Sequence, residues 1–228
     1  MIVLAIETAG PRGGVALLRD EGAPRELVLE AARSVGAELA PSIKRLLREA
    51  GLGARTPDLV AVDVGPGSYT GLRIGIAAAK GLAFAWRCPL LGVSATDALA
   101  AAAGPEAERA VVALDASRGE VWAARYARRE GALALEGEPG LCDPAALQGA
   151  LPRPTLLLGD AWAQVVDPAR GLLAPSTPRD WPTALDVARL ARERHLAGQR
   201  QDPLRLAPVY YRANEAEEQR RKRGLRVK

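Results

Sequence analysis

Apolar residues in this chain gather into short unbroken runs, and most runs stop at an acidic residue or a glycine. Ile2-Val-Leu-Ala-Ile-Glu7 and Leu59-Val-Ala-Val-Asp-Val64 are two such runs, short enough and apolar enough to be strands covered on both faces. Between them, residues 37–50 carry Leu39, Ile43, Leu46, Leu47 and Ala50, the spacing of an amphipathic helix. The second run breaks at Gly65-Pro66-Gly67, a turn in which glycine allows positive φ and a close backbone approach. A helix over residues 70–86 follows, with Ser68 or Thr70 available as its cap. Residues 90–93 form the next strand.

The pattern then repeats. Val111-Val-Ala-Leu-Asp115 ends on a carboxylate as Ile2–Glu7 does, 108 positions after Glu7. In each half a short glycine turn returns the chain into a second strand, Val15-Ala-Leu-Leu18 and Val121-Trp-Ala-Ala-Arg-Tyr126. Third strands are expected at residues 24–30 and 132–138, and a final strand-like segment at 208–211. In the second half a helix over 144–151, a strand over 155–158 and a helix over 183–197 complete the copy. Two β-β-β-α-β-α-β units make an α/β fold of the duplicated actin-like (ribonuclease H-like) kind, with two mixed sheets. The polar break Gly104-Pro105-Glu106 divides them. The chain therefore divides into a first subdomain over residues 1–105, a second over 106–212, and a tail over 213–228. In such folds the strand-end carboxylates flank a nucleotide phosphate and its metal. Glu7, Thr8 and Asp115 mark that cleft here, unless the acids simply end strands and cap amides.

The glycine turn bears on ligand chemistry. A phosphate loop needs Lys-Ser or Lys-Thr at its end, and none follows Gly67. Gly65-x-Gly67-x-x-x-Gly71 has one residue too many for a dinucleotide fingerprint. The helix carries a second pattern. Gly71, Gly75, Ala79 and Ala83 recur every four residues, and interior glycine costs about 1 kcal/mol relative to alanine. Such a stripe either packs tightly on the chain's own sheet or admits a partner helix. The partner reading takes Gly71, Leu72, Ile74, Gly75, Ala78, Ala79 and Leu82 as contacts.

Composition narrows the classes. A chain of 228 residues with 48% hydrophobic content can bury a full core. Cys88 and Cys142 have no paired spacing or neighbouring histidines, so neither a disulfide framework nor a zinc site is expected, and the reduced cytoplasm is the expected compartment. Neither a secretory signal nor an apolar span of membrane length is visible, so no membrane association is expected. The net charge of +4 comes from Arg220, Arg221, Lys222, Arg223, Arg226 and Lys228; without these six, 25 basic residues face 27 acidic ones. That tail either adds phosphate contacts to RNA or is a solvated end. His195 is the single histidine, too few for a His-x-x-x-His metal pair or an assembled Ser-His-Asp set. No cofactor, metal or catalytic residue is expected.

Several strings resemble one family. Ile6-Glu-Thr8, Leu39-Ala-Pro-Ser-Ile43, Val64-Gly-Pro-Gly-Ser-Tyr-Thr-Gly-Leu-Arg-Ile-Gly75, Gly92-Val-Ser94, Leu114-Asp-Ala-Ser-Arg-Gly-Glu-Val121 and Pro208-Val-Tyr-Tyr-Arg212 span nearly the whole chain. Together they are similar to the bacterial TsaB (YeaZ) family, the non-catalytic relatives of TsaD. Two positions depart from the family pattern. Glu7 stands where Asp is usual, and Arg33-Ser-Val-Gly-Ala37 lacks the histidine with which the first helix of relatives often begins. The resemblance implies an accessory scaffold in forming N6-threonylcarbamoyladenosine beside the anticodon of ANN-decoding tRNAs. It implies a heterodimer with a TsaD homologue through the helices at 37–50 and 70–86, the TsaE ATPase and tRNA joining through that complex, and a homodimer when alone. The alternative from the residues is a small-molecule phosphotransferase of the sugar-kinase type, resting on the strand-end acids.

Overall fold

The structure, a computed structural model, describes residues 1–29, 35–52, 55–105, 107–173 and 179–211. Arg33 and Ser34, Glu106, and the tail from Arg212 onward lie outside the described residues.

The first half contains β1 (Ile2–Glu7), β2 (Gly14–Arg19), β3 (Arg25–Val28), α1 (Val35–Glu49), β4 (Leu59–Gly65), α2 (Tyr69–Trp86), β5 (Leu90–Ser94) and α3 (Ala95–Ala101). The second contains β6 (Arg109–Asp115), β7 (Val121–Arg129), β8 (Ala132–Cys142), α4 (Pro144–Ala150), β9 (Thr155–Leu158), α5 (Trp162–Val165), β10 (Leu172–Leu173) and α6 (Ala184–Leu196). The first sheet runs β3-β2-β1-β4-β5, and the second runs β8-β7-β6-β9-β10, the same order. In both, the first two pairings are antiparallel and the last two parallel. The chain is a duplicated actin-like α/β fold.

Alternation along the strands explains the layers. Leu4, Ile6, Val60 and Val62 point to a core shared with Leu39, Ile43 and Leu46 of α1 and Ile76, Ala79 and Ala83 of α2. Their neighbours Val3, Ala5, Leu59 and Ala61 point to the opposite face. That face is covered by Val187, Ala188, Leu190 and Ala191 of α6. The helix expected at 183–197 therefore forms, but it lies on the first sheet and not beside the strands of its own half. In exchange, α3 packs Leu99 and Ala100 against Ala110, Val112, Leu114 and Tyr126 of the second sheet. The helix after each fifth strand thus covers the other half's sheet.

Local chemistry sets the ends. Ser68, not Thr70, caps α2, its Oγ accepting from Gly71 N at 3.2 Å. Arg87 ends the helix in the left-handed region at φ 52°, its amide returning to the last turn. Residues 208–211 form no strand; Val209 N donates to Val64 O at 2.7 Å and so holds the segment at the end of β4. Among the described residues no helix is long and apolar enough to cross a membrane.

Candidate functional site

The small-residue stripe on α2 faces inward. Gly71, Leu72, Gly75 and Ala79 are all buried, and Thr8 Oγ1 donates to Gly71 O at 2.8 Å. A Cβ on Gly71 would overlap the Thr8 carbonyl oxygen, and one on Gly75 would overlap Thr8 Oγ1. These glycines let α2 lie directly on the end of β1, so the four residues are corrected from partner contacts to internal packing. Ile74, Ala78 and Leu82 lie on the other flank of α2, half-buried, where they line an open groove against α1. That groove has a volume of about 550 Å³, and Leu39, Ile43 and Leu47 form its α1 wall. Trp86 also lines it, and among the described residues Lys44 is the only charged one in the lining.

A second stripe stands on the outer face. Ala77, Gly81 and Ala85 recur every four residues and are exposed, and nothing lies within 4 Å of a Cβ placed on Gly81. Beside them Phe84, the only phenylalanine in the chain, is 88% exposed. Ala77, Gly81, Phe84 and Ala85 thus give the outer side of α2 an apolar, water-exposed face. Of the two four-residue spacings on α2, the one through Gly71 and Gly75 faces Thr8 and the one through Ala77 and Gly81 faces outward. Counting Ala77, Gly81 and Ala85 would have found the exposed set.

The strand-end carboxyls gather where the two halves face each other. Glu7 is buried, and its Oε1 accepts from Ala9 N and Gly10 N at 2.7 Å and from Trp181 Nε1 at 3.2 Å. Burial pushes its carboxyl up to about 7 despite these donors. Thr8 is held in the α2 contact. Asp63, which no sequence motif singles out, lies two residues before the end of β4, fully buried and close to Glu7. Its Oδ1 accepts from Gly65 N at 2.7 Å, while Oδ2 has no hydrogen-bond partner among the described residues. Burial first, and the Glu7 charge second, hold this carboxyl well above the usual carboxylate range.

Across the cleft, Asp115 is exposed and its Oδ1 accepts from Ser117 N at 2.8 Å. Its own amide donates to Asp160 Oδ1 at 2.8 Å, and burial raises the Asp160 carboxyl. Of the three residues expected at a nucleotide cleft, Glu7 and Thr8 are committed to internal bonds and Asp115 accepts from its own turn. Among the described residues no group of three or more His, Cys, Asp or Glu side chains is placed to hold a metal ion.

A family profile described as TsaD, tRNA N6-adenosine threonylcarbamoyltransferase, matches residues 29–165. The solved structure titled YeaZ from Pseudomonas aeruginosa superposes with a TM-score of 0.76 at 32% identity, covering 92% of this chain and 99% of that one. The chain belongs to the TsaB (YeaZ) family. The TsaB protein of Bacillus subtilis (strain 168), named for tRNA threonylcarbamoyladenosine biosynthesis, is 29% identical over 226 residues, 95% of this chain and 96% of its own. The TsaB protein of Escherichia coli (strain K12) is 36% identical over 132 residues, 57% of each chain. Within the TsaB family frame, the strings that carried the resemblance fall on both regions described above. Val64–Gly75 builds the α2 start, and Leu39–Ile43 supplies the α1 wall of the groove.

Proposed function

We propose that this chain is the non-catalytic scaffold of a tRNA-modifying complex. It docks a TsaD-type transferase on the α1–α2 face and so supports formation of N6-threonylcarbamoyladenosine beside the anticodon of ANN-decoding tRNAs. The observation that carries this reading is the apolar groove between α1 and α2, about 550 Å³ and flanked by the exposed Ala77, Gly81 and Phe84. Two helices presenting a groove and a small-residue ridge fit a second helix pair, the element the transferase shares by family. The TsaE ATPase and tRNA join through that complex. Alone, the same face pairs with a second copy around a two-fold axis.

Substituting Gly81→Leu tests it. With nothing near the Gly81 Cβ position and an interior glycine removed from α2, the variant should melt no lower than wild type and up to a few degrees higher. It should no longer comigrate with the TsaD homologue in gel filtration, and threonylcarbamoylation of tRNA by the mixed proteins should fall with it. A folded Gly81→Leu protein that still binds with wild-type affinity removes this face from the interface. Turnover of ATP, or of threonylcarbamoyl-AMP with tRNA, by the chain alone would contradict the scaffold role.

A further inference from the structure

We propose that Trp181 is the resident occupant of the interlobe corner, an indole latch that ties the two halves together and closes the strand-end loops to phosphate-bearing ligands. The loops after β1 and β4 meet at this corner, where Ser68 N donates to Ala9 O at 2.9 Å. Each presents a glycine to the indole. A Cβ on Gly10 would overlap the Trp181 ring, and one on Gly67 would meet Ala9 O at 2.7 Å and Ala9 Cβ at 2.8 Å, with Trp181 Cζ2 next at 3.0 Å. The glycines that would let a phosphate approach the backbone therefore admit a side chain of the same molecule.

The donors of the corner are taken as well. Ala9 N and Gly10 N both bind Glu7 Oε1, and Gly65 N binds Asp63 Oδ1. A phosphate entering here would find its amides committed and two acidic side chains beside it. Trp181 Nε1 completes the set by donating to Glu7 Oε1. Trp181 also packs on the core cluster of the second sheet, whose members include Leu114 and Leu158. It stands in the short segment that leaves the second sheet, where Gly159 N donates to Arg179 O at 3.0 Å, and enters α6 on the first. One side chain thus fixes the loops of one half to the frame of the other.

Removing the ring should loosen those loops and leave a space of its own shape. Trp181→Gly should melt several degrees below wild type, and its Ala9 and Gly10 amides should exchange with deuterium about tenfold faster. Indole added at millimolar concentration should bind that variant, raise its melting temperature and slow the exchange again, while leaving wild type unaffected. Pyrophosphate should not bind wild type in calorimetry. If Trp181→Gly does not fold, Trp181→Phe keeps most of the ring but not the donor, and faster exchange at Ala9 and Gly10 remains the expected result. Unchanged exchange in the folded variant, or pyrophosphate bound at the corner of wild type, would overturn the latch.

Discussion

Glu7 and Asp63 follow Ile6 and Val62, which are paired in the parallel register of β1 and β4, so two carboxyls lie side by side on adjacent strands in the interior. Two buried acids this close do not both ionise readily at neutral pH. Glu26, whose Oε1 accepts from Leu185 N, adds a further negative charge facing Glu7. Because the native Glu7 carboxyl sits near 7 and an unfolded one near 4.5, the folded state holds its proton more tightly. This contribution to stability is full below about 4.5 and is lost as pH rises from there to about 7. At about 1.4 kcal/mol per pH unit its size is on the order of 3 kcal/mol. Glu7→Gln keeps an oxygen for Ala9, Gly10 and Trp181 and removes the ionisation. The variant should gain melting temperature over wild type at pH 8 and little at pH 4.5, as thermal melts across that range will report. Asp115 is exposed, and its Oδ1 accepts from Ser117 N in its own turn. Asp115→Asn preserves that acceptor and should change stability by less than about 0.5 kcal/mol, with tRNA modification by the full complex retained.

At the scale of elements, legibility follows how a residue's role is encoded. β1, β4 and β6 were readable because fully covered strands are unbroken apolar runs, and α1 because its stripe is amphipathic. β10 is not legible because two residues make no pattern, and α3 is not because four of its seven residues are alanine, which fits either face of a helix. The candidate site was half legible. The spacing on α2 showed that something approaches closely, but Gly71–Gly75 and Ala77–Gly81 differ only in the direction they face. That direction is fixed by contact with Thr8, more than sixty residues away. The Glu7–Trp181 bond joins positions 174 apart, and no local pattern announces it. Gly75→Leu follows from the corrected direction. It drives a side chain into Thr8, so the chain alone should lose about 1–3 kcal/mol or more in denaturant titration. Gly81→Leu should lose almost none, and the contrast between them separates internal packing from docking surface.

For the whole molecule, the decisive arrangement is the exchange of covering helices. A division near residue 105 separates the two sheets but leaves the face formed by Val3, Ala5, Leu59 and Ala61 without α6. Residues 1–105 expressed alone should therefore give an aggregating or weakly structured product by circular dichroism and light scattering, whereas the full chain melts in one transition. The exchange also has a consequence in time. A ribosome completes β5 about ninety residues before it starts α6. At roughly 5–20 residues per second, the first sheet spends about 5–20 s with one apolar face uncovered. The nascent chain is then a temporary client for whatever shields hydrophobic surface at the tunnel exit, and slowing translation across residues 100–180 should lower the yield of folded protein more than slowing it before residue 50.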